Sequence, residues 1–460
     1  MHGYRYAPGL LLGLVLLFSA GCVAPSSRDN VDAAARLVAN QVPAPLEWRR
    51  NPEADAAARQ RAEALLTDGV TLQEAVAIAF LASPELQLAL EQLEVSRSDL
   101  VAAVTPPNPV LVVGERKPGG DLASFYPERS VSFGVLQNVI ALLNIPDRVA
   151  VARHELTRVR YETADRATRH AAAVAQAWIE YRAALLVAAV RERSEAVVQL
   201  AYDDLVVRAA NDGSLLSSLE LQRSALLNTQ AKTIRAVLAA QTARAQLEEQ
   251  MGISGWRDDW RLADEGLPPL PSADPDPAAL ERTAIEQRYS LVAATEEVDS
   301  RLRVLATQRR FRWLNQLELG LFRDKAIGGT AFTGPNAVVE LPLFDQRQAT
   351  LLEADSQLRS ALRRLEAAQL AVRGEIRLHA AEQAAARRLV EQIEKEIQPG
   401  QRQRLAEAGP GDPRETQRLA LRIASLDTDE EHFTLLRDYW RARLALALAA
   451  GDWRGVSGLR

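Results

Sequence analysis

Cysteine is nearly absent. The chain of 460 residues holds one, Cys22, so no intrachain disulfide can form. Methionine is as scarce: Met1 and Met251 are the only two, too few for a soft copper site built on thioethers. The histidines, His2, His154, His170, His379 and His432, stand singly, with no H-x-x-x-H pair and no cysteine nearby. That spacing assigns no metal ligand set, and the histidines read as solvated or packed residues. Aromatic residues make up 5% of the chain, which disfavours a sheet-rich enzyme. The net charge is −5 with both signs interspersed. No basic block marks a nucleic-acid surface. Gly119-Gly120 and Gly328-Gly329 fall between strand-like runs and not ahead of helices, so neither cradles a phosphate. No Ser/His/Asp arrangement stands out. These absences leave no catalytic, cofactor or metal site to assign.

What is present is helix. Hydrophobic residues make up 47% of the chain, with alanine, leucine, arginine, glutamate and glutamine abundant. Roughly sixty residues, Asp147 to Asn211, pass without a proline or glycine; as one helix they would reach about 90 Å. Ala164, Ala167, Ala171, Val174, Trp178, Tyr181, Leu185 and Ala188 recur on it at steps of three and four, a coiled-coil seam. An ordinary core helix is the alternative, and the length argues against it. Just before it, Val131, Phe133 and Val135 alternate with Ser130, Ser132 and Gly134, the period of a strand with two unlike faces.

At the N-terminus, Arg5 precedes an apolar run from Leu10 to Phe18, followed by Ser19-Ala20-Gly21-Cys22. This is the layout of a secretory signal, too short for a stable membrane span. S-A-G-C resembles a bacterial lipobox, which implies cleavage and lipidation at Cys22. Val23 stands where an aspartate would signal inner-membrane retention, so the outer membrane is expected. The alternative is a soluble periplasmic protein with a stray cysteine.

The chain then divides as 1–21 signal, 22–70 lipidated tether with one short helical stretch at Ala54 to Leu66, 71–251 first unit, 252–277 linker, 278–453 second unit and 454–460 tail. Thr71-Leu72-Gln73-Glu74 is a capping box opening a helix. Ser83-Pro84 restarts that helix, which runs to about Val104. Val110 to Glu115 and the run from Arg129 read as a hairpin. Asn211 to Ser214 is a tight turn with Gly213 suited to a left-handed cap. A helix from Leu215 to Met251 follows, with Leu216, Leu219, Leu226, Val237 and Ala240 on one seam. The order then recurs about 205 residues later: Leu86 matches Leu291, and Gly114 matches Gly320 one step on. Leu317, Leu319 and Leu321 alternate in a third strand and Ala337, Val339 and Leu341 in a fourth. A long helix is expected from Gln346 to Ile397, a turn at Gly409 to Pro413 and a last helix from Arg414 to Ala450. The chain is one duplicated unit.

Strands of this length can cross a bilayer when tilted. Four cannot close a barrel, and an open edge in lipid is forbidden. Three copies would bring twelve strands, which can close. Val131, Phe133 and Val135 would then face lipid, and an arginine at Phe133 would be costly if that residue lies near the midplane. Ser130, Ser132, Gly134, Glu318, Gly320 and Glu340 would face a wet lumen. Soluble hairpins capping a helical bundle are the alternative.

The motifs that carry a resemblance are T-L-Q-E-A at Thr71 to Ala75, S-P-E-L at Ser83 to Leu86, Asn108-Pro109, I-P-D-R at Ile145 to Arg148, A-A-N-D-G-S-L at Ala209 to Leu215, L-P-L-F-D at Leu341 to Asp345 and D-Y-W-R-A-R at Asp438 to Arg443. In this order they resemble the TolC-type outer-membrane efflux protein family, lipoprotein branch, over about Thr71 to Trp453. The first strand exit, L-L-N-I-P-D-R, and the second turn, with Pro410 and Pro413, depart from the family pattern. The resemblance implies a mainly α chain with a transmembrane β-barrel portion. Its homotrimer would build a twelve-stranded barrel and an α-helical periplasmic tunnel. It also implies a periplasmic adaptor protein and an inner-membrane pump, with the resistance-nodulation-division type as one candidate. The chain would be a passive conduit and not an enzyme, without cofactor and without nucleic acid, set in outer-membrane lipid. A non-channel periplasmic coiled-coil scaffold lipoprotein is the competing function. Asp212, Glu220, Asp412 and Glu415 are the candidate periplasmic gate, since a ring of carboxylates attracts cations. For Asp212 and Glu415 a helix-capping role is the alternative.

Overall fold

A computed structural model describes residues 25–117, 129–263, 266–314, 316–327, 329–407 and 415–453, the side chains of 415–417 excepted. Cys22, the signal segment, Asp412 and the turn at Gly409 to Pro413 lie outside the described residues.

The described chain is mostly helical. Its helices are α1 (Ser27–Gln41), α2 (Pro52–Leu65), α3 (Leu72–Ala82), α4 (Pro84–Val104), α5 (Val139–Leu143), α6 (Ile145–Asn211), α7 (Leu216–Met251), α8 (Pro277–Gln287), α9 (Tyr289–Arg310), α10 (Gln348–Gln392), α11 (Gln398–Glu407) and α12 (Glu415–Ala450). The strands are β1 (Val110–Arg116), β2 (Ser130–Asn138), β3 (Leu317–Ala326) and β4 (Ala331–Val339). Contacts group the chain into two compact units. One comprises residues up to Ala33, Glu91–Glu162 and Val292–Ala367; the other comprises Ala34–Leu90, Thr163–Leu291 and Ala368 onward. Each unit therefore draws on both halves of the sequence.

In the first unit the four strands form one antiparallel sheet in the order β1-β2-β3-β4. Asn30, on α1, is fully buried: its amide donates to the Leu93 carbonyl on α4 at 3.4 Å and its Oδ1 accepts from Arg160 on α6 at 2.6 Å.

In the second unit the α6 seam is buried as its spacing requires. Ala164, Ala167, Ala171 and Val174 are fully covered and Trp178 nearly so, while Leu185 is half-buried. Trp178 donates its indole N–H to the Val70 carbonyl. Small residues at the seam let neighbouring backbones approach closely, which suits a long packed helix. On α7 the buried positions Leu226, Thr233, Ala240 and Leu247 recur every seven residues, and Ala243 and Met251 are buried beside them. Leu216, expected on the same seam, is 59% exposed. A further core joins Ala284, Leu291, Val372, Ile376, Leu446 and Ala449.

Thr71 caps α3 in a complete capping box with Glu74. Ser83 then breaks the helix with φ −64° and ψ 123°. Arg288, 205 positions on, breaks α8 from α9 with φ −66° and ψ 123°. Each break donates its N–H four residues back, Ser83 to Ala79 and Arg288 to Ala284.

Several expectations are corrected. The segment 22–70 holds two helices, not one: α1 was missed. Its start is marked by Ser26 and Asp29, which exchange hydrogen bonds across the first turn, and Val31, Ala34 and Val38 are buried. Strand β4 begins five residues before the expected Asn336 and ends before Leu341. Pro335 falls inside it, on an end strand of the described sheet, where a strand proline is tolerated. Gly213 is not left-handed; it opens a short 3₁₀ turn, Gly213–Leu215. A left-handed glycine instead closes the other end of α7, Gly252 at φ 74°. The long helix also does not end at Ile397. It passes through a π turn, Ile393–Ile397, into α11 despite Pro399. Proline has no N–H and its ring strikes the carbonyl four residues back. The π turn, closed by the Gln398 N–H on the Ile393 carbonyl, widens the helix just before the ring.

Candidate functional site

The sheet register sorts residues into rows. On one face Leu111, Val135, Leu321 and Pro335 lie side by side across all four strands. Leu111, Val135 and Leu321 are at least half exposed, an uninterrupted apolar row. The next row toward the hairpin loops is Val113, Phe133, Arg323 and Thr333, and the one beyond it Glu115, Val131, Lys325 and Ala331. Charge therefore enters this face two residues from Val135. Phe133 stands across from Arg323, so it lies toward the charged edge of the apolar band. The centre is Val135.

The opposite face carries Gly114, Ser132, Asp324 and Phe332 in one row and Val112, Gly134, Phe322 and Gly334 in another. Ser132 donates to the Gly114 carbonyl at 3.1 Å, and Arg116 pairs with Asp324 at 3.7 Å. The expected small and polar residues do share this face. Phe322 and Phe332 join them, which the short alternating runs did not reveal. Gly320 is needed for its size: a Cβ there would lie 1.8 Å from the Val135 carbonyl oxygen.

At the turn between α6 and α7, the Asp212 carboxylate accepts from the Ser214 N–H at 3.0 Å and the Ser214 hydroxyl at 2.7 Å. These two bonds hold its carboxyl below the ordinary range. Asp212 therefore caps the turn. Glu220 is exposed on the first turns of α7. Glu415 opens α12, and its side chain is not described. Among the described residues, Asp212 and Glu220 are not brought into one cluster with another gate candidate.

No protein-family model matches the chain, and no curated protein matches it in sequence. Solved structures do match its fold. The outer-membrane channel OprN superimposes with a TM-score of 0.69 at 15% identity, over 85% of this chain and 92% of that one. The outer membrane protein VceC from Vibrio cholerae gives 0.67 at 15%, over 83% and 96%. The MtrE outer membrane channel of Neisseria gonorrhoeae, in its open state, gives 0.64 at 16%, over 83% and 89%. The chain has the fold of these outer-membrane channels.

Within this outer-membrane-channel fold lie polar contacts that no sequence motif announced. Arg191 on α6, 14% exposed at its side chain, pairs with Asp427 at 3.0 Å and with Glu430, both on α12. Thr233 on α7 donates to the Arg191 carbonyl, so one residue ties three helices. Asp274, in the segment read as a linker, accepts from Tyr439 at 2.8 Å, Gln383 at 2.8 Å and Arg387 at 3.0 Å. His154 on α6 bonds Glu296 on α9 at 2.7 Å, with Asp299 one turn along. The partners are 142 residues apart in sequence, so no local spacing could have joined them.

Proposed function

We propose that three copies of this chain form an outer-membrane channel-tunnel, the passive conduit of a tripartite efflux system. One observation carries the reading. The four-stranded sheet ends in β1 and β4, and across one face runs a fully apolar row, while the other face mixes glycine, serine and acid with Phe322 and Phe332. A soluble hairpin gains nothing from displaying such a row. In lipid the row is favourable, but every unpaired backbone group on β1 and β4 would cost several kcal/mol. Joining β4 of one copy to β1 of the next removes that cost. Three copies place twelve strands in a closed ring, with the glycine- and serine-bearing face inward.

The likeness to OprN, VceC and MtrE supports this reading. So does α6, 67 residues without interruption, about 100 Å of helix by rise. An 18-residue window of α6 is apolar enough to cross a bilayer, but half of that window is buried, which suits a packed tunnel helix. The duplicated units are 71–251 and 278–453, joined by 252–277. Cys22 carries the lipid anchor in the outer membrane. The tips contact a periplasmic adaptor fed by an inner-membrane pump. Asp212, Glu220, Asp412 and Glu415 ring the periplasmic entrance, with Asp212 also capping its turn. No chemical step is assigned.

The test uses the full-length protein purified in mild detergent. A trimer by mass, heat-modifiable migration and discrete single-channel conductance are expected. A stable monomer without conductance overturns the reading in favour of a periplasmic scaffold. Separately, Cys22→Ser should abolish acyl labelling; retained labelling removes the anchor from the proposal.

A further inference from the structure

His154, Glu296 and Asp299 offer three ligand atoms within 4.8 Å of one another. We propose that these side chains bind a divalent first-row metal ion of the Zn²⁺ type, tying α6 to α9. The site does not depend on whether the chain conducts.

The argument begins with placement. Glu296 and Asp299 are three residues apart on α9, so both carboxylates project from one face of that helix. His154 meets that face from α6, with Nδ1 2.7 Å from a Glu296 oxygen. All three are partly buried, the His154 and Glu296 side chains at 28% and 23% exposure. Among the described residues, no lysine or arginine pairs with Glu296 or Asp299, and Asp299 has no hydrogen-bonded partner. Two carboxylates thus share a half-covered site with one neutral-capable imidazole and no fixed cation. A divalent ion would cancel that charge.

The donor set selects the ion. One imidazole nitrogen and two carboxylate oxygens suit zinc, with water in a fourth position. They lack the thiolate or thioether that favours monovalent copper, and they are too few and too nitrogen-rich for a dedicated calcium cage. Zinc at about 2.0–2.1 Å from each ligand separates tetrahedral ligands by roughly 3.3 Å. The three ligand atoms lie within 4.8 Å of one another, with His154 Nδ1 2.7 Å from Glu296, so loading the site exchanges the His154–Glu296 hydrogen bond for metal ligation and requires side-chain adjustment.

Three other histidines pair with an acid: His170 with Glu85 at 3.6 Å, His379 with Glu382 at 2.9 Å and His432 with Glu394 at 2.9 Å. Among the described residues none of these pairs has a third ligand. They are built-in controls.

The experiment loads metal-free full-length protein in detergent with Zn²⁺ by equilibrium dialysis, and with Co²⁺ for its visible ligand-field bands. One Zn²⁺ per chain is expected, with a Co²⁺ spectrum of low coordination number that Zn²⁺ displaces. His154→Ala and Asp299→Asn should each weaken Zn²⁺ binding at least tenfold and remove the Co²⁺ bands, while His432→Ala leaves both unchanged. Zn²⁺ should raise the melting temperature of the parent chain and not of Asp299→Asn. Absence of stoichiometric binding by the parent chain overturns the proposal, and that measurement needs no variant to fold. Binding of equal strength in the His154→Ala, Asp299→Asn double variant also overturns it.

Discussion

Two helix breaks 205 residues apart reach one backbone shape with different side chains. Ser83 and Arg288 break their helices at nearly identical angles. In the first copy Pro84 enforces the break, since the residue before a proline is steered out of the helical region. In the second copy Tyr289 follows, and nothing local demands a break. There the Arg288 guanidinium bonds Glu375 at 2.7 Å and the Ala449 carbonyl at 3.2 Å. A glycine with positive φ presses on each break: Gly252, where a Cβ would stand 3.2 Å from Ala82 and Ser83, and Gly451, where it would stand 3.3 Å from Arg288. The break thus belongs to the packing against the end of the neighbouring helix. Proline is one way to stabilise it and an arginine clamp is another.

The largest expected difference between the copies lies in the sheet. Gly114 and Gly320 hold matching places, but an added Cβ at Gly114 meets only the Ser132 hydroxyl, at 2.7 Å, and at Gly320 it meets the Val135 backbone oxygen at 1.8 Å. A hydroxyl can rotate away; a paired strand cannot. Gly320→Ala should cost about 3 kcal/mol or abolish assembly, and Gly114→Ala less than about 1 kcal/mol. Heat-modifiable migration of the two variants reads this directly. Equal damage would mean that β2 and β3 do not cross as closely as described.

The apolar row gives the next test. Val135 and Leu321, one from each copy, are cross-strand partners. Arginine at either should destabilise insertion by about 2–4 kcal/mol. Phe133→Arg should cost less, because Phe133 sits beside Arg323, toward the edge of the band. Folding titrations into lipid vesicles would show it, and a larger penalty at Phe133 would move the membrane centre toward the loops.

The helix breaks predict a smaller inequality. Arg288→Ala removes a charged hydrogen-bond pair from a side chain 12% exposed, for about 2 kcal/mol. Pro84→Ala should cost about 1 kcal/mol or less, since Ser83 keeps its packing against Gly252. Thermal melting by circular dichroism separates them. The reverse order would return the break to local proline geometry.

The smallest effect is at the turn after α6. The folded Asp212 carboxyl is depressed below its ordinary 3.8 by its bonds to Ser214. A depressed carboxyl adds stability above the unfolded pKa and loses it as pH falls through the folded value. Melting of the parent and Asp212→Asn should therefore converge below about pH 4 and differ slightly above it. A difference that persists at lower pH would mean that charge on Asp212 is not what holds the turn.

Much of this was legible along the chain because it is local. A capping box at Thr71, a proline-free and glycine-free run ahead of Asn211 and alternation in Val131, Phe133 and Val135 each depend on residues a few places apart. The correspondence of Ser83 with Arg288 was legible because it rests on such local patterns. Helix α1 gives a weak periodic signal because its apolar positions are mostly alanine and valine, and the passage through Pro399 runs against the rule that proline ends a helix.

The amino-acid sequence by itself determined the long helices and the strands, and which strand residues share a face, because periods of 3.6 and 2.0 are properties of the backbone. Only the tertiary structure decided the register. Pairing Val135 with Leu321 and Phe133 with Arg323 depends on how far one strand slides along another, and sliding by two residues leaves every face unchanged. The same holds for the Arg288 clamp and for His154 beside Glu296 and Asp299: each joins residues far apart in the chain, and packing alone brings them together.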